Sequence, residues 1–177
     1  LDELSNEEYK KMPTFPIPGG SDGIEIDIKD KIINFELSFL DETFKIIKFH
    51  NCIFKKNVIL LSSLIHKNFE FIDCEFQKDL ILRDLKIKGN ARFWVSKFQD
   101  NLKINNVRFE NLADFYQTTF KNTLILYKVD FFGTTVFTET KFNKSVPPLP
   151  QLTCRRLILL SVLVKISQSS DISSNFP

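Results

Sequence analysis

From residue 44 onward the uncharged positions of this chain recur with a fixed beat. Cutting at Phe49 and every 22 residues thereafter gives FHNCIFKKNVILLSSLIHKNFE, FIDCEFQKDLILRDLKIKGNAR, FWVSKFQDNLKINNVRFENLAD and FYQTTFKNTLILYKVDFFGTTV, which align without a gap and run on into FTETKFN. Each block halves into elevens. One apolar series runs Phe49, Leu60, Phe71, Leu82, Phe93, Ile104, Phe115, Leu126 and Phe137, and a second runs Phe54, Ile65, Phe76, Ile87, Phe98, Phe109, Phe120, Phe131 and Phe142. Two places before every member stands another small or apolar residue, from Ile47 before Phe49 to Thr140 before Phe142, and none of these paired positions is charged.

Side chains alternate along a strand, so two inward residues at i and i+2 define a very short extended segment with one buried face. A corner must follow within a few residues, and four such sides fit in one 22-residue block. Successive blocks then stack at the inter-strand spacing of about 4.8 Å, and equivalent residues form columns. One corner repeatedly carries a turn-competent residue just before the inward pair, at Asn57, Asn68, Asp79, Asn90, Asn101, Thr123 and Thr134, with Leu112 breaking the series. Asn and Asp tolerate left-handed backbone, so that corner is the expected place for it.

A solenoid needs its ends covered. Residues 1–43 read as an N-terminal cap: Ser5 and Glu8 have capping-box spacing, Leu4 and Tyr9 that of a hydrophobic staple, and a short helix is predicted over Asn6 to Lys11. Pro13, Pro16, Pro18 and Gly19/Gly20 end it, and irregular leading strands follow at Ile24, Ile26 and Ile28 and at Phe35, Leu37 and Phe39. The repeat occupies residues 44–143 and stops at Pro147, Pro148 and Pro150. Residues 144–177 form a tail, with a short helical cap expected over Arg155 to Ile166 and a loose Ser-rich end.

The unit of small residue, polar residue, Phe or Leu, then two polar residues, seen as "ADFYQ" followed by "TTFKN", resembles the pentapeptide repeat. The resemblance covers about residues 44–143 and implies an all-β chain folded as a right-handed quadrilateral parallel β-helix with short terminal caps. This sequence adds one residue at alternate corners, giving 22 per coil where the family's strict spacing gives 20.

Composition refines the picture. The 177 residues include 19 Phe, 26% charged side chains and a net charge of +2, which gives no global attraction to nucleic acid or anionic membrane. Cys52, Cys74 and Cys154 lack metal-ligand spacing; Cys52 and Cys74 fall in one inward column and are expected as buried free thiols. The longest apolar run, Leu157 to Val164, is too short to span a bilayer, and the acidic N-terminal segment does not resemble a signal peptide. A cytoplasmic location is the expectation.

The sequence is poor in chemistry. Its two histidines, His50 and His66, have no His or Cys partner at ligand spacing, and no phosphate-binding loop or nucleophile motif occurs. Asp73 and Glu75 are close, but their columns continue as Val95 and Lys97. No catalytic residue, metal or cofactor is expected. Glu70, Arg92 and Asp114 form an outward column of alternating charge that reads as cross-coil ion pairing, worth a few tenths of a kcal/mol each when exposed. Two other outward columns are candidate interaction surfaces: His50, Ile72, Trp94, Tyr116 and Thr138 on one edge, and Ile59, Ile81 and Ile125, interrupted by Lys103. The expected cover for the second is the apolar tail or a second subunit.

These features favour a non-enzymatic repeat scaffold that binds another protein or itself, with no nucleic-acid partner and no membrane span. Two alternatives stand beside it. The best-known proteins of the resembled family imitate duplex DNA and bind type II topoisomerases, which requires an acidic solenoid; here residues 49–142 hold 14 Lys/Arg against 10 Asp/Glu, a balance of +4. The other is a fragment of a larger membrane-associated protein.

Overall fold

The computed structural model describes residues 1–11, 23–144, 152–158 and 163–164. Its strands stack as parallel coils of about 22 residues. Leu80–Ile87 pairs on one side with Val58–Leu61 and Leu64–Ile65 and on the other with Leu102–Phe109, placing Leu80 opposite Leu102 and Ile87 opposite Phe109. A complete coil has four sides, illustrated by Phe69–Ile72, Glu75–Phe76 and the two halves of Leu80–Ile87. The two-residue side belongs to a separate eight-stranded sheet, and the other sides share a twelve-stranded one. The chain is therefore an all-β solenoid.

All eighteen inward pairs are buried, the polar members Ser63, Ser96, Thr118, Thr135 and Thr140 included. Phenylalanines of one column lie face to face: Phe93 and Phe115 have ring centroids 4.9 Å apart and planes 3° from parallel, and Phe76 and Phe98 have centroids 4.7 Å apart. Rings of the two columns also meet edge-on, as Phe71 meets Phe76 at 5.2 Å. Offset stacking and edge contacts are the arrangements that aromatic quadrupoles favour, which is why a coil only one strand thick tolerates so many rings. The interior is filled, so any binding site lies outside.

The corners differ from expectation. Left-handed residues recur once per half coil, at Asp30, Asp41, Asn51, Ser62, Asp73, Asp84, Val95, Asn106, Gln117, Lys128 and Glu139, with φ between 50° and 57°. None belongs to the Asn57 to Thr134 series. In that series the backbone carbonyls of Asn57, Asn68, Asp79, Asn90 and Asn101 accept from the preceding coil, as Leu80 N donates to Asn101 O at 3.1 Å. Their side chains can ladder between coils, as Asn101 Nδ2 donates to Asp79 Oδ1 at 3.0 Å. These residues hold coils together rather than turn the chain.

At the left-handed corners Asp73, Val95, Gln117 and Glu139 the next residue is inward, and its small side chain satisfies a buried carbonyl. Ser96 Oγ donates to Phe71 O at 2.9 Å, Thr118 Oγ1 to Phe93 O at 2.5 Å and Thr140 Oγ1 to Phe115 O at 2.7 Å. Cys74 Sγ does the same to Phe49 O at 3.3 Å. Cys52 and Cys74 are free and buried, and burial pushes the Cys74 thiol up, so it remains a protonated donor.

At the N-terminus the helix occupies Asn6–Lys11. Glu8 N donates to Ser5 Oγ at 3.1 Å while Ser5 N donates to Glu8 Oε2 at 2.9 Å, a reciprocal capping box. Leu4 is buried and Tyr9 packs on Phe35 with centroids 5.5 Å apart. The leading strands Ile24–Lys29 and Leu37–Leu40 pair in parallel with Thr43–His50 and Val58–Leu61, so stacking reaches back to residue 24. The expected helix breakers Pro13 to Gly20 lie outside the described residues.

The tail is a correction. Leu152–Ile158 and Leu163–Val164 are strands, not helix, and pair in parallel with Leu124–Val136 and Lys141–Phe142. Lys141 faces Leu163 and Phe142 faces Val164, so the 22-residue register returns after the prolines. The edge left by the last regular coil presents unpaired backbone groups, and a strand satisfies them where a helix cannot. Pro147, Pro148 and Pro150, residues 159–162 and the Ser-rich end are outside the described residues.

Candidate functional site

The aromatic edge is less open than the sequence suggests. Phe69–Ile72 sets His50 beside Ile72 in register, and Trp94 and Tyr116 continue the column. His50, Ile72, Trp94, Tyr116 and Thr138 are all half-buried. Arg92 lies over the Trp94 ring at 5.2 Å, and Tyr116 meets that ring edge-on at 6.5 Å. The indole is thus engaged by its own neighbours, a cation–π contact included.

In the adjoining charged column the expected cross-coil ion pair forms between Arg92 and Glu70, but its carboxylates are buried, Glu70 6% and Asp114 8% exposed. Glu70 receives Arg92 Nη1 at 2.5 Å, with Lys48 Nζ at 4.0 Å and His50 Nε2 at 3.8 Å. Asp114 Oδ1 instead accepts Tyr116 N at 3.0 Å. Buried carboxylates must be matched in this way or neutralised. Val95, beside Trp94, is 47% exposed and left-handed, a combination that a β-branched residue rarely adopts.

The second candidate column lies on another side of the coil. Ile59 faces Ile81 in register, Ile81 faces Lys103, and Lys103 faces Ile125. Ile59 and Ile81 are half-buried and Ile125 is 36% exposed. Lys103 turns its ammonium to Asp79 Oδ2 at 2.5 Å. Burial opposes ionisation of Asp79, but hydrogen bonds from Lys103 and Asn101 outweigh it and hold the carboxyl below its ordinary range. The described strands of the tail, Leu152–Ile158 and Leu163–Val164, pair with the last strands of the solenoid, and residues 159–162 of the expected apolar cover lie outside the described residues.

Two places along the same strands runs a column the sequence reading missed: Leu40, Leu61, Arg83, Asn105 and Tyr127. Leu40 is 58% and Tyr127 40% exposed. Strand alternation was the available signal, since these residues share a face with the isoleucines, but Arg83 and Asn105 between them disguise it. Next to this column an open groove of about 580 Å³ runs along the left-handed corner, bordered by Asp41 and Glu42 at one end and by Arg108 and Lys128 at the other.

Asp73 is an exposed left-handed corner residue, while Glu75 lies 3.8 Å from Lys97 Nζ and accepts Gln99 Nε2 at 3.2 Å. Among the described residues no group of three or more His, Cys, Asp or Glu could hold a metal ion, and no helix is long and apolar enough to cross a membrane. No family model, curated protein or solved structure matches the chain.

Proposed function

We propose that the chain is a non-enzymatic repeat scaffold whose Ile59–Ile81–Ile125 side binds protein, with the aromatic edge serving chiefly to brace the coils. The observation that carries this reading is the exposed apolar pairing on one side of the solenoid: Leu40, Ile125 and Tyr127 are three of the large hydrophobic side chains left open, and they share that side with Ile59 and Ile81. A filled interior leaves chemistry only to the surface, and a row of apolar side chains rimmed by charge is suited to a partner rather than to a reaction. Within this reading the chain is an expanded member of the pentapeptide-repeat type, working in the cytoplasm. What supports the kinship is the double Phe column with small residues two places before it.

A photo-reactive p-benzoylphenylalanine in place of Ile81 tests the binding reading. Irradiation in extract of the native cell is expected to give a protein adduct that the same group at exposed Lys141, on another side of the coil, does not give. Equal capture from the two positions would overturn it. The DNA-mimic alternative is disfavoured by the +4 balance of residues 49–142. Purified protein is expected to leave a topoisomerase supercoiling assay unchanged, and potent, salt-sensitive inhibition would reinstate that alternative.

A further inference from the structure

The groove beside the apolar side is electrically lopsided. Its first row carries Asp41 and Glu42, its middle row Asp84 with Lys86, and its last row Lys128 with Asp130. Most of these charges are matched within the chain: Lys86 Nζ lies 3.0 Å from Glu110 Oε1, Arg108 Nη2 3.9 Å from Asp130 Oδ2, and Arg83 Nε 3.6 Å from Asp84 Oδ2. The exceptions are at the two ends. Among the described residues Asp41 and Glu42 have no cationic partner, and Lys128 has no carboxylate, only the face of Tyr127 at 5.4 Å. Four coil steps of about 4.8 Å separate these ends, roughly 19 Å.

The apolar column has the same five-row order, Leu40, Leu61, Arg83, Asn105, Tyr127, with its two most exposed apolar side chains in the first and last rows. We infer that this side docks a second copy of the chain in antiparallel fashion, about a two-fold axis through the Arg83–Asp84 row. The inference rests on the scaffold reading above and names its partner. An antiparallel two-fold exchanges first and fifth rows and keeps the third. Asp41 and Glu42 of one copy then meet Lys128 of the other and Leu40 meets Tyr127, while the central row meets itself, where Arg83 and Asp84 are already paired within each copy, Nε to Oδ2 at 3.6 Å. A parallel arrangement would set Asp41 and Glu42 against themselves and Lys128 against Lys128. Like charges directly opposed suppress that register.

The size of the contact sets its strength. Five rows and a width of about six residues cover roughly 500 Å² on each copy, near the lower limit for a specific interface. The dimer is therefore weak and concentration-dependent, and its isologous symmetry closes it at two.

Sedimentation of the full chain from micromolar to sub-millimolar concentration tests this. The mass is expected to rise from 20.7 kDa towards twice that value and to fall back as salt is added. Lys128→Glu and the double variant Asp41→Lys/Glu42→Lys are each expected to weaken association about tenfold or more, and the triple variant to restore it. Asp41 and Lys128 are exposed and Glu42 half-buried, and circular dichroism confirms that each variant is folded before its mass is read. A chain that stays at 20.7 kDa throughout, a dimer indifferent to both charge reversals, or a triple variant that fails to recover would overturn the proposal. A monomer that still gives a position-specific adduct from Ile81 with a different protein would overturn this proposal and leave the scaffold reading standing. A monomer with no such adduct removes both.

Discussion

Thr118 donates its hydroxyl to the carbonyl oxygen of Phe93 at 2.5 Å, reaching from an inward corner position into the preceding coil. Both groups are sealed from water, Thr118 at 0% exposure, so the carbonyl has no substitute donor. Thr118→Val keeps the shape and deletes the donor, and is expected to cost about 1–3 kcal/mol. Thr118→Ser keeps the donor and loses only a methyl group. Urea denaturation of the two variants checks the order: a valine variant as stable as wild type would mean that the hydroxyl is dispensable.

The Phe98 ring sits between Phe76 at 4.7 Å and Phe120 at 5.2 Å and is fully buried. Removing it leaves a hole between rigid strands that cannot close. Phe98→Ala is expected to cost about 3–5 kcal/mol. The far-ultraviolet circular dichroism of the wild type should be that of β-structure with little helix, and the variant should melt well below it.

Val95 is held at φ 57° and is 47% exposed, so its methyl groups gain little burial in return for the left-handed strain. Val95→Asn relieves part of a penalty of about 1–2 kcal/mol and is expected to raise the melting midpoint. An earlier midpoint would show that the valine side chain contributes contacts on the aromatic edge that outweigh its strain.

Asp79 provides the pH test. Its carboxyl is held below the ordinary value of 3.8 by hydrogen bonds from Lys103 and Asn101 that overcome burial. A carboxyl depressed in the fold takes up its proton later than in the unfolded chain. Its contribution is therefore complete above 3.8 and fades as pH falls through the lower folded value. Asp79→Asn is expected to melt below wild type at neutral pH, and the gap to close as the pH is taken below 3.8 and through the lower folded value. A gap of constant size across that range would assign the loss to packing.

The inward columns were legible in the sequence because burial excludes charge at every turn of the repeat; Phe49 to Phe142 needed no more than that rule. The N-terminal helix was legible because the Ser5–Glu8 pair is a local device. The left-handed corner was not. Six of its eleven residues, Asp30, Asp41, Asn51, Asp73, Asp84 and Asn106, are Asp or Asn as left-handed backbone favours, but Ser62, Val95, Gln117, Lys128 and Glu139 break both columns and hid the signal. The Asn57 to Asn101 series carried the right chemistry for a turn and was used for bonds between coils. The tail misled for a related reason. Three prolines interrupt the pattern after Lys144, yet the edge of Leu124–Val136 supplies a template that Leu152–Ile158 accepts. Of the surface residues, Leu40 and Tyr127 stayed hidden because Arg83 and Asn105 interrupt their column.

The constant register of 22 residues makes the length of this molecule a discrete quantity. Each regular coil hydrogen-bonds only to the one before and the one after, as Leu80–Ile87 does to Val58–Leu61 and Leu102–Phe109. Whole coils can therefore be gained or lost by duplication without disturbing distant ones, as in other one-dimensional repeats. Parity then matters. An odd number of rows leaves one at the centre to meet itself, whereas an even number places the symmetry point in the gap between two rows. A single duplicated coil would thus change which residues confront each other along a shared side while leaving every coil's interior as it was.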